Sequence, residues 1–513
     1  MIQQKIWVGL MIFLIAVNVG SQDVFKNETQ RHAVFRLILS DELVTSFDQI
    51  LDPSLKTQWA DKYWRMVDPT PTTEANEIYD QYLQRVQVAQ RHYSNIVPPL
   101  FLDDRGKYYL KYGEPDDRVI SPGLGKPYQD NETWAYYRYN LFLDFVDQPG
   151  FGYREVTNLL EAVSRGPANR KLIVAAELYA ERERLHQKYL GFQDIVSGAA
   201  SLSASSRFYQ LTNDLTNEKK LALEAIPPAW FDFDFQQERL DAQMSSAIFR
   251  GENQLSRVEL YYSIPMNQLK FQPGTQSPLE SVIDLQMSIF NQDFDRVLQR
   301  NERLLILARN QDEVQQRIYI NQQTEQLPPG LYHLVLQLEN RDNQRLAILR
   351  GNLKVKDFSA DSLSLSDIQL SSQIREDVQH QRHLKENGIL VVPYVGNAIR
   401  RLHPIYIYFE IYNLRLNAEN RSRFRIEYEV TAIAANQATS LSSVTQFISH
   451  LIGKKKEQKI GSYFETTGEA SFQQIYLQID FSKFSGGSCL LTISVTDLES
   501  GASSREVKRL VLK

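Results

Sequence analysis

Residues 328–339 read PPGLYHLVLQLE, and our prediction of the fold starts from this stretch. Two prolines and a glycine predict a turn, and apolar side chains then alternate with polar ones, which is typical of a half-buried β-strand. Further strand-like runs surround it at short spacing, and together they predict an all-β sandwich. These runs are residues 245–249, 257–262, 281–290, 303–307, 316–320 and 346–355.

The same pattern returns after a polar stretch at residues 357–386, although the two blocks show no obvious sequence repeat. We therefore predict a second sandwich and expect both sandwiches to be immunoglobulin-like. The runs that carry this prediction are residues 388–393, 405–414, 423–433, 475–481, 490–496 and 504–512.

The front of the chain has helical periodicity instead. Apolar residues recur at a spacing of three or four in residues 41–51, in the segment that begins at Pro53 and carries Trp64, and in residues 78–93. A proline fits the first position of a helix, because the amide hydrogen that it lacks would have no partner there. The pattern predicts three helices.

Aromatic and β-branched runs follow these helices and predict strands at residues 107–112, 134–147 and 153–157. Residues 113–117 (GEPDD) predict a turn that ends the first of these strands, since glycine and proline favour turns. A run rich in Ala and Glu at 171–191 predicts a closing helix, and small polar residues at 197–206 predict a linker.

The predicted fold is therefore multidomain, with an α+β N-terminal domain followed by two all-β immunoglobulin-like sandwiches. A length of 513 residues suits about three domains of ordinary size. We expect a signal peptide in residues 1–21, the α+β domain in 22–200, the first sandwich in 205–357, a linker in 358–386 and the second sandwich in 387–513.

The first residues have the pattern of an export signal. Lys5 precedes the apolar run 6–19, whose length of about fourteen residues is short for a membrane span but typical of a signal peptide. Val19 and Ser21 are small residues at the expected cleavage site, so we predict cleavage after Ser21, with an uncleaved anchor as the alternative. No later stretch is long and apolar enough to span a bilayer. We expect an exported chain in the periplasm, the outer envelope or the extracellular space.

One region resembles a known family. The residues that carry the resemblance are Trp64, Asp68 to Thr72 (DPTPT), Asn76, Glu77, Arg85, Ala89 and residues 104–116 (DRGKYYLKYGEPD). Across residues 33–157, about a quarter of the chain, the sequence resembles GWxTD domain-containing proteins, which are bacterial envelope or secreted proteins. The resemblance implies a bacterial, exported protein and an α+β domain, but it implies no activity, because the family has no settled one.

The pentapeptide that gives the family its name is degenerate here. Residues 100–104 read LFLDD, so only the final Asp104 is retained and Phe101 stands where the tryptophan is expected. An aromatic residue in that place keeps a packing role. The loss of the glycine, tryptophan and threonine argues against chemistry performed by those three residues.

The candidate binding or motif residues are polar, aromatic or turn-forming, and all lie in the region of resemblance. They are Trp64, Asp68, Asp104, Arg105, Gly113, Glu114, Pro115 and Asp116. Two carboxylates that act as acid and base must lie within about 10 Å of each other. Asp104 and Glu114 flank a predicted strand of about 20 Å, so turns and local ion pairs are the favoured interpretation of these residues.

Composition excludes several classes of protein. The charge is nearly balanced, with 57 Lys+Arg against 62 Asp+Glu, which gives no basic footprint for nucleic acid. The eight histidines are scattered, and His380 and His383 lie in polar connection. No zinc, phosphate-loop or nucleophile motif is present, so we predict no metal and no cofactor. The single Cys489 lies in an apolar strand-like run and is predicted to be a buried structural thiol.

Two classes of function remain. The favoured one is a non-enzymatic envelope or secreted scaffold whose partners are proteins, peptides or glycans, since tyrosine-rich strands offer apolar area with a polar tip. The alternative is an extracytoplasmic hydrolase with an acidic site at Asp104, Arg105, Glu114 and Asp116. Whether the chain is an enzyme stays open, and we lean towards a scaffold without catalytic residues.

Overall fold

The computed structural model shows a chain that is mostly β-sheet, with helices in its N-terminal region. It forms two compact units, Met1–Asp234 and Phe235–Lys513. The residues described are 24–126, 128–159, 162, 174, 177–186, 189, 202–231, 237–376, 383–385, 388–396, 398–401, 404–433, 459–482, 484 and 486–513. The predicted signal peptide, most of the predicted helix 171–191, and His380 lie outside the described residues.

Five capped helices open the first unit. They are α1 (Glu28–Arg36), α2 (Asp41–Asp48), α3 (Pro53–Val67), α4 (Glu77–His92) and α5 (Asp104–Tyr112). A side-chain oxygen accepts a hydrogen bond from a first-turn amide of each helix, which satisfies a donor that has no partner inside the helix. The five capping residues are Asn27, Ser40, Asp52, Asn76 and Asp103.

A four-stranded antiparallel sheet follows, in the order β1-β2-β3-β4. Its strands are β1 (Asp117–Ser121), β2 (Asn131–Tyr136), β3 (Leu141–Gln148) and β4 (Gly152–Val156). Every residue of β2 is buried, because the helices cover one face of the sheet and a second apolar cluster packs on the other, with Leu159, Val174, Leu178, Tyr179, Leu185 and Tyr189. The predicted strands at 134–147 and 153–157 are confirmed.

Two predictions of secondary structure in this unit are wrong. Residues 107–112 lie in helix α5, because Asp103 caps its first turn and the aromatic side chains at 108, 109 and 112 have helical rather than alternating spacing. The predicted linker 197–206 lies outside the described residues up to 201, and from 202 it is helix α6 (Leu202–Ala225). Small residues such as alanine and serine do not prevent a helix.

Seven strands form the first part of the second unit, in two antiparallel sheets with orders β5-β6-β9 and β11-β10-β7-β8. Apolar side chains of both sheets share one core, an arrangement that fits a β-sandwich. The strands are β5 (Gln243–Arg250), β6 (Ser256–Pro265), β7 (Leu279–Phe290), β8 (Arg296–Ala308), β9 (Ile318–Leu327), β10 (Gly330–Asn340) and β11 (Leu346–Val355), with the short helix α7 (Gln311–Gln316) before β9.

The last part of the chain also forms two sheets, antiparallel except for the parallel pair of β15 with β21. In one sheet, β16 pairs with β12, β13 and β19. Strand β14 pairs with β13. The other sheet has the order β15-β21-β20-β17-β18. The strands are β12 (Ser364–Leu365), β13 (Gln369–Glu376), β14 (Ile389–Pro393), β15 (Ala398–Ile399), β16 (Ile405–Tyr412), β17 (Ser422–Ala432), β18 (Lys459–Gly468), β19 (Gln473–Ile479), β20 (Gly487–Asp497) and β21 (Ser503–Leu512).

The predicted linker 358–386 is therefore not a simple connection. It contains β12 and β13, whose backbones pair with β16 in the second sandwich. Polar composition misled the prediction, because short strands with one solvated or interfacial face carry many polar residues. Cys489, in β20, is buried as predicted, and burial raises the pKa of its thiol to about 11. Among the described residues, no helix is long and apolar enough to cross a membrane.

Candidate functional site

Helix α5 begins in a buried ionic cluster. Asp103 is 2% exposed, and its Oδ1 accepts a hydrogen bond from Gly106 N at 3.2 Å. Its Oδ2 accepts from Arg105 Nη2 at 2.6 Å, while Arg105 Nη1 donates to Glu132 Oε1 at 2.6 Å. Glu132 Oε2 in turn accepts from Trp134 Nε1 at 3.0 Å. The guanidinium thus joins the start of α5 to strand β2 by charge-assisted hydrogen bonds.

Aromatic rings cover the same guanidinium. Arg105 Cζ lies 3.6 Å from the ring centroid of Tyr153 and 5.2 Å from that of Tyr93. Burial alone disfavours the charged guanidinium, but the hydrogen bonds with Asp103 and Glu132 outweigh it, so the pKa of Arg105 lies above its ordinary value. Arg105 is therefore permanently charged and joins α5 to β2 within the domain.

Asp104 faces a different set of partners. Its Oδ1 lies 2.6 Å from Lys107 Nζ and 3.4 Å from Arg154 Nη1, and its Oδ2 accepts from Glu155 N at 2.9 Å. The last bond connects the first turn of α5 to the backbone of β4. A carboxylate near a helix N-terminus is also favoured by the helix dipole. The contacts with Arg154 and Glu155 hold α5 against the sheet, whereas the ion pair with Lys107 lies within the helix.

The other end of α5 is closed by glycine and arginine. Gly113 has φ +80°, a conformation that favours glycine, and its amide donates to Tyr109 O at 2.8 Å. Arg85 of α4 donates from Nη1 to Leu110 O at 3.3 Å and to Lys111 O at 3.1 Å. A cation that donates to the last carbonyls of a helix satisfies acceptors that have no partner within the helix.

The three residues after Gly113 form the turn into β1. Glu114 is exposed and lies 3.0 Å from Arg118 Nη2, so it makes a surface ion pair. Pro115 is buried. Asp116 Oδ2 accepts from Tyr137 N at 2.7 Å, and Asp116 N donates to Ala135 O at 2.9 Å. This turn is held to the neighbouring strand by its backbone and by one carboxylate.

Trp64 and Asp68 lie in the helical part of the domain. Trp64 is 6% exposed, and its ring lies 4.7 Å from Tyr82, 4.9 Å from Tyr79 and 5.5 Å from Phe35 between centroids. Such aromatic pairs stabilise a core beyond the area that they bury. Asp68 Oδ1 accepts from Thr70 N at 2.8 Å, a local turn contact of the kind predicted from the sequence.

The candidate residues do not form one cluster. Asp104 and Arg105 lie at the start of α5, and Gly113 to Asp116 follow its end, with about 13 Å of helix between the two groups. Trp64 is in the aromatic core of the helices. The structure instead adds Asp103, Glu132 and Tyr153 to Arg105, and Arg85 to Gly113. Sequence reasoning did not connect Glu132 and Tyr153 with Arg105, because only the fold brings these residues together; Asp103 is a neighbour of Arg105 in the sequence.

An open pocket lies elsewhere in the first unit. Its volume is about 490 Å³, and none of the candidate residues lines it. Its lining is mostly neutral and polar, from Val156, Thr157, Asn158, Ala162, Asn213 and Thr216. In the part of the chain that the structure describes, no three His, Cys, Asp or Glu side chains are grouped so that they could hold a metal ion.

Comparison with known proteins finds no related family and only distant structural similarity. No protein-family model matches the chain, and no curated protein matches it. Among solved structures, red sea bream transglutaminase is 9% identical with a TM-score of 0.16, over 59% of this chain and 34% of that one. Escherichia coli alpha-2-macroglobulin activated by porcine elastase is 8% identical with a TM-score of 0.17, over 53% and 23%. Likeness at this level defines neither the fold nor the function of the chain.

Proposed function

We propose that this protein is an exported, non-enzymatic scaffold of a bacterial envelope or secreted assembly. The observation that carries the proposal is that three of the four polar residues singled out for chemistry are engaged in contacts that hold the fold, while the fourth, Glu114, makes an exposed ion pair. Asp104 joins α5 to β4, Arg105 joins α5 to β2, and Asp116 fixes a turn. A catalytic pair would need its carboxylates and a bound substrate within hydrogen-bond reach.

The two sandwiches support a spacer or binding role. In each, the first, second and fifth strands form one sheet, and the seventh, sixth, third and fourth form the other, if β12 and β13 count as one interrupted strand and the additional strands β14 and β15 are left out of the count. We propose that both are immunoglobulin-like, because that family of sandwiches places the fourth strand beside the third in one of its common forms. Such modules present strand edges and loops to protein, peptide or glycan partners.

The GWxTD-like assignment of the first unit and the export of the chain belong to the same proposal. Residues 104–116 carry the resemblance, and residues 1–21 carry the export signal. N-terminal sequencing of protein purified from the extracytoplasmic fraction tests the second point. We expect a mature chain that begins at Gln22, and an intact Met1 in membrane-embedded material would contradict it.

A hydrolysis screen tests the absence of catalysis. Wild-type full-length protein is assayed on peptide, ester and glycoside substrates beside Glu114→Gln and Asp116→Asn, which keep side-chain shape and remove charge. We expect no turnover by any of the three. A wild-type activity that falls a hundredfold or so in either variant at an unchanged melting temperature would establish the hydrolase instead.

A further inference from the structure

A short segment at the end of the first unit lies across the C-terminal end of helix α5. We call residues 226–231 (IPPAWF) the strap. Trp230 N donates to Lys111 O at 2.8 Å, and Trp230 O accepts from Arg85 Nη1 at 2.6 Å. Tyr112 OH donates to Pro227 O at 3.2 Å. All three bonds use main-chain atoms of the strap, as in the recognition of an extended peptide.

Aromatic side chains of the strap add selectivity. The ring of Phe231 lies 4.7 Å from Arg85 Cζ and packs edge-on against Tyr82 at 6.4 Å between centroids. The ring of Trp230 lies 4.9 Å from Arg138 Cζ and 6.4 Å from the ring of Tyr139. Each aromatic residue of the strap therefore contacts an arginine and a tyrosine, which adds a cation–π contact, with Phe231 partly buried and Trp230 39% exposed.

The two prolines restrict the backbone of the strap to conformations close to the extended one. Proline fixes φ and biases the residue before it to an extended conformation, so residues 226–228 lose little conformational freedom when they bind. Aromatic-lined grooves recognise proline-rich segments for this reason. The strap has the composition of such a ligand, with Pro227 and Pro228 followed by Trp230 and Phe231.

Residues of the groove also make contacts that do not involve the strap. Arg85 also donates to the carbonyl oxygens of Leu110 and Lys111 at the end of α5, so its position does not depend on Trp230. Tyr82 is buried in the aromatic core of the helices, and Tyr112 packs against Tyr136 at 5.7 Å. Three residues of the groove are thus held by contacts with the rest of the domain as well as with the strap.

We propose that Tyr82, Arg85, Lys111, Tyr112, Arg138 and Tyr139 form a peptide-recognition groove for an extended segment of the type Pro-Pro-x-Trp-Phe. The chain's own strap fills the groove, and release of the strap makes the groove available to a segment of the same type from another chain. This proposal concerns a site apart from the candidate carboxylates, and it holds whether or not the protein is a scaffold.

The test uses full-length protein and a fluorescently labelled, end-capped peptide of sequence IPPAWF. A tethered segment competes at an effective concentration in the millimolar range, so wild-type protein should bind the peptide at least about tenfold more weakly than a strap variant. The strap variant carries Trp230→Ala and Phe231→Ala, and a peptide with the same residues in scrambled order is the control. Addition of Arg85→Met to the strap variant should weaken binding by a further tenfold or more, on the scale of one charged hydrogen bond.

Two results would overturn the proposal. One is a folded strap variant that fails to bind the peptide at several millimolar, and the other is equal binding by wild-type and variant protein. Hydrogen exchange of the wild-type chain covers the case in which the variant does not fold. We expect slow exchange at the amide of Trp230, because it is hydrogen-bonded to Lys111 O of α5, and exchange there at the rate of a free peptide would contradict a seated strap.

Discussion

Each of the two compact units contains a buried ionic network, and the two networks differ in what they join. In the first unit, Arg105 bonds Asp103 two residues away and Glu132 on a neighbouring strand. In the second unit, Lys385 Nζ lies 2.5 Å from Glu259 Oε2, and Arg257 Nη2 lies 2.8 Å from Glu410 Oε1. These partners are 126 and 153 residues apart in the chain.

The second network lies between the two sandwiches. Arg257 and Glu259 belong to β6 of the first sandwich, and Glu410 belongs to β16 of the second. Tyr261 OH donates to Glu259 at 2.6 Å, and Tyr408 OH donates to Glu410 at 2.7 Å. Two positive and two negative groups balance, and the side chains of Lys385 and Glu259 are only 2% and 4% exposed.

The two networks therefore stabilise different parts of the fold. The Arg105 network fastens one helix to one sheet inside a domain, whereas the Lys385 network fastens two sandwiches to each other. An apolar cluster with Phe249 and Tyr261 from the first sandwich and Val391 and Tyr408 from the second surrounds it. We therefore expect the sandwich pair to unfold as one cooperative body, rather than as two modules on a linker.

The largest expected effect follows from breaking the network between the sandwiches. Among the contacts described, Glu259 pairs with Arg257 of its own strand β6 and with Lys385 from elsewhere in the chain. Lys385→Met removes the second partner. It should lower the free energy of unfolding by roughly 3 kcal/mol or more, because loss of one member of a buried ion pair leaves the other uncompensated. Denaturant unfolding of the full chain measures the cost. Lys354→Met, on the exposed face of β11, is the matched control.

That variant also tests the cooperativity. If the sandwiches are one folding body, the wild-type pair unfolds in a single transition, and Lys385→Met shifts it or splits it in two. A cost of less than about 1 kcal/mol for Lys385→Met, equal to that of Lys354→Met, would mean that the ionic network does not hold the junction.

Removal of Arg105 should have the next largest effect. Arg105→Met leaves Asp103 and Glu132 as buried carboxylates with side chains 3% and 4% exposed, at a cost of about 2 to 3 kcal/mol. Thermal unfolding of the full chain should show the loss in the transition of the first unit only. Arg91→Met, on an exposed position of α4, is the control and should change the stability little. A loss confined to the second unit would contradict the assignment.

Gly113→Val should come third. Valine at φ +80° is strained, and a Cβ at this position would lie 3.1 Å from Arg85 Nη2, so we expect a loss of about 2 kcal/mol. Gly125→Val is the matched control, because Gly125 has φ +72° and nothing within 4 Å of the added Cβ. Equal losses in the two variants would show that the contact with Arg85 contributes nothing beyond backbone strain.

Glu114→Gln should have the smallest effect. The ion pair with Arg118 is exposed, with side chains 55% and 42% accessible, so the stability should fall by at most about 1 kcal/mol. The same variant measured at high salt should be indistinguishable from wild type, because salt screens exposed charges. A loss of several kcal/mol would give Glu114 a role that its surface position does not explain.

The sequence predicted what periodicity and local turns encode. Alternating strands, the helix with Trp64 and the turn at residues 113–117 were all predicted from spacing or turn chemistry within a few residues. The strand predicted at 107–112 failed, because aromatic residues favour strands while the cap at Asp103 decides the helix. The capping residue Asp103 was the signal in the sequence from which the helix could have been predicted.

Contacts across long sequence separations could not be predicted from one chain. Nothing in the composition of residues 358–386 indicates that Lys385 will form an ion pair with Glu259, because lysine and glutamate are residue types that usually lie on the protein surface. The strap is a similar case, because Arg85 and Trp230 are 145 residues apart. Only the fold, through β6, β16 and α5, brings these groups together.

The sign of the stability change in Asp104→Asn tests most directly whether the motif carboxylates hold the fold or perform chemistry. Asp104 contacts Lys107, Arg154 and the backbone of Glu155, so loss of its charge should lower the melting temperature of the first unit by a few degrees, about 1 kcal/mol. A carboxylate kept for catalysis is commonly held at a cost to stability. A melting temperature that is unchanged or higher in Asp104→Asn would contradict the structural role proposed here.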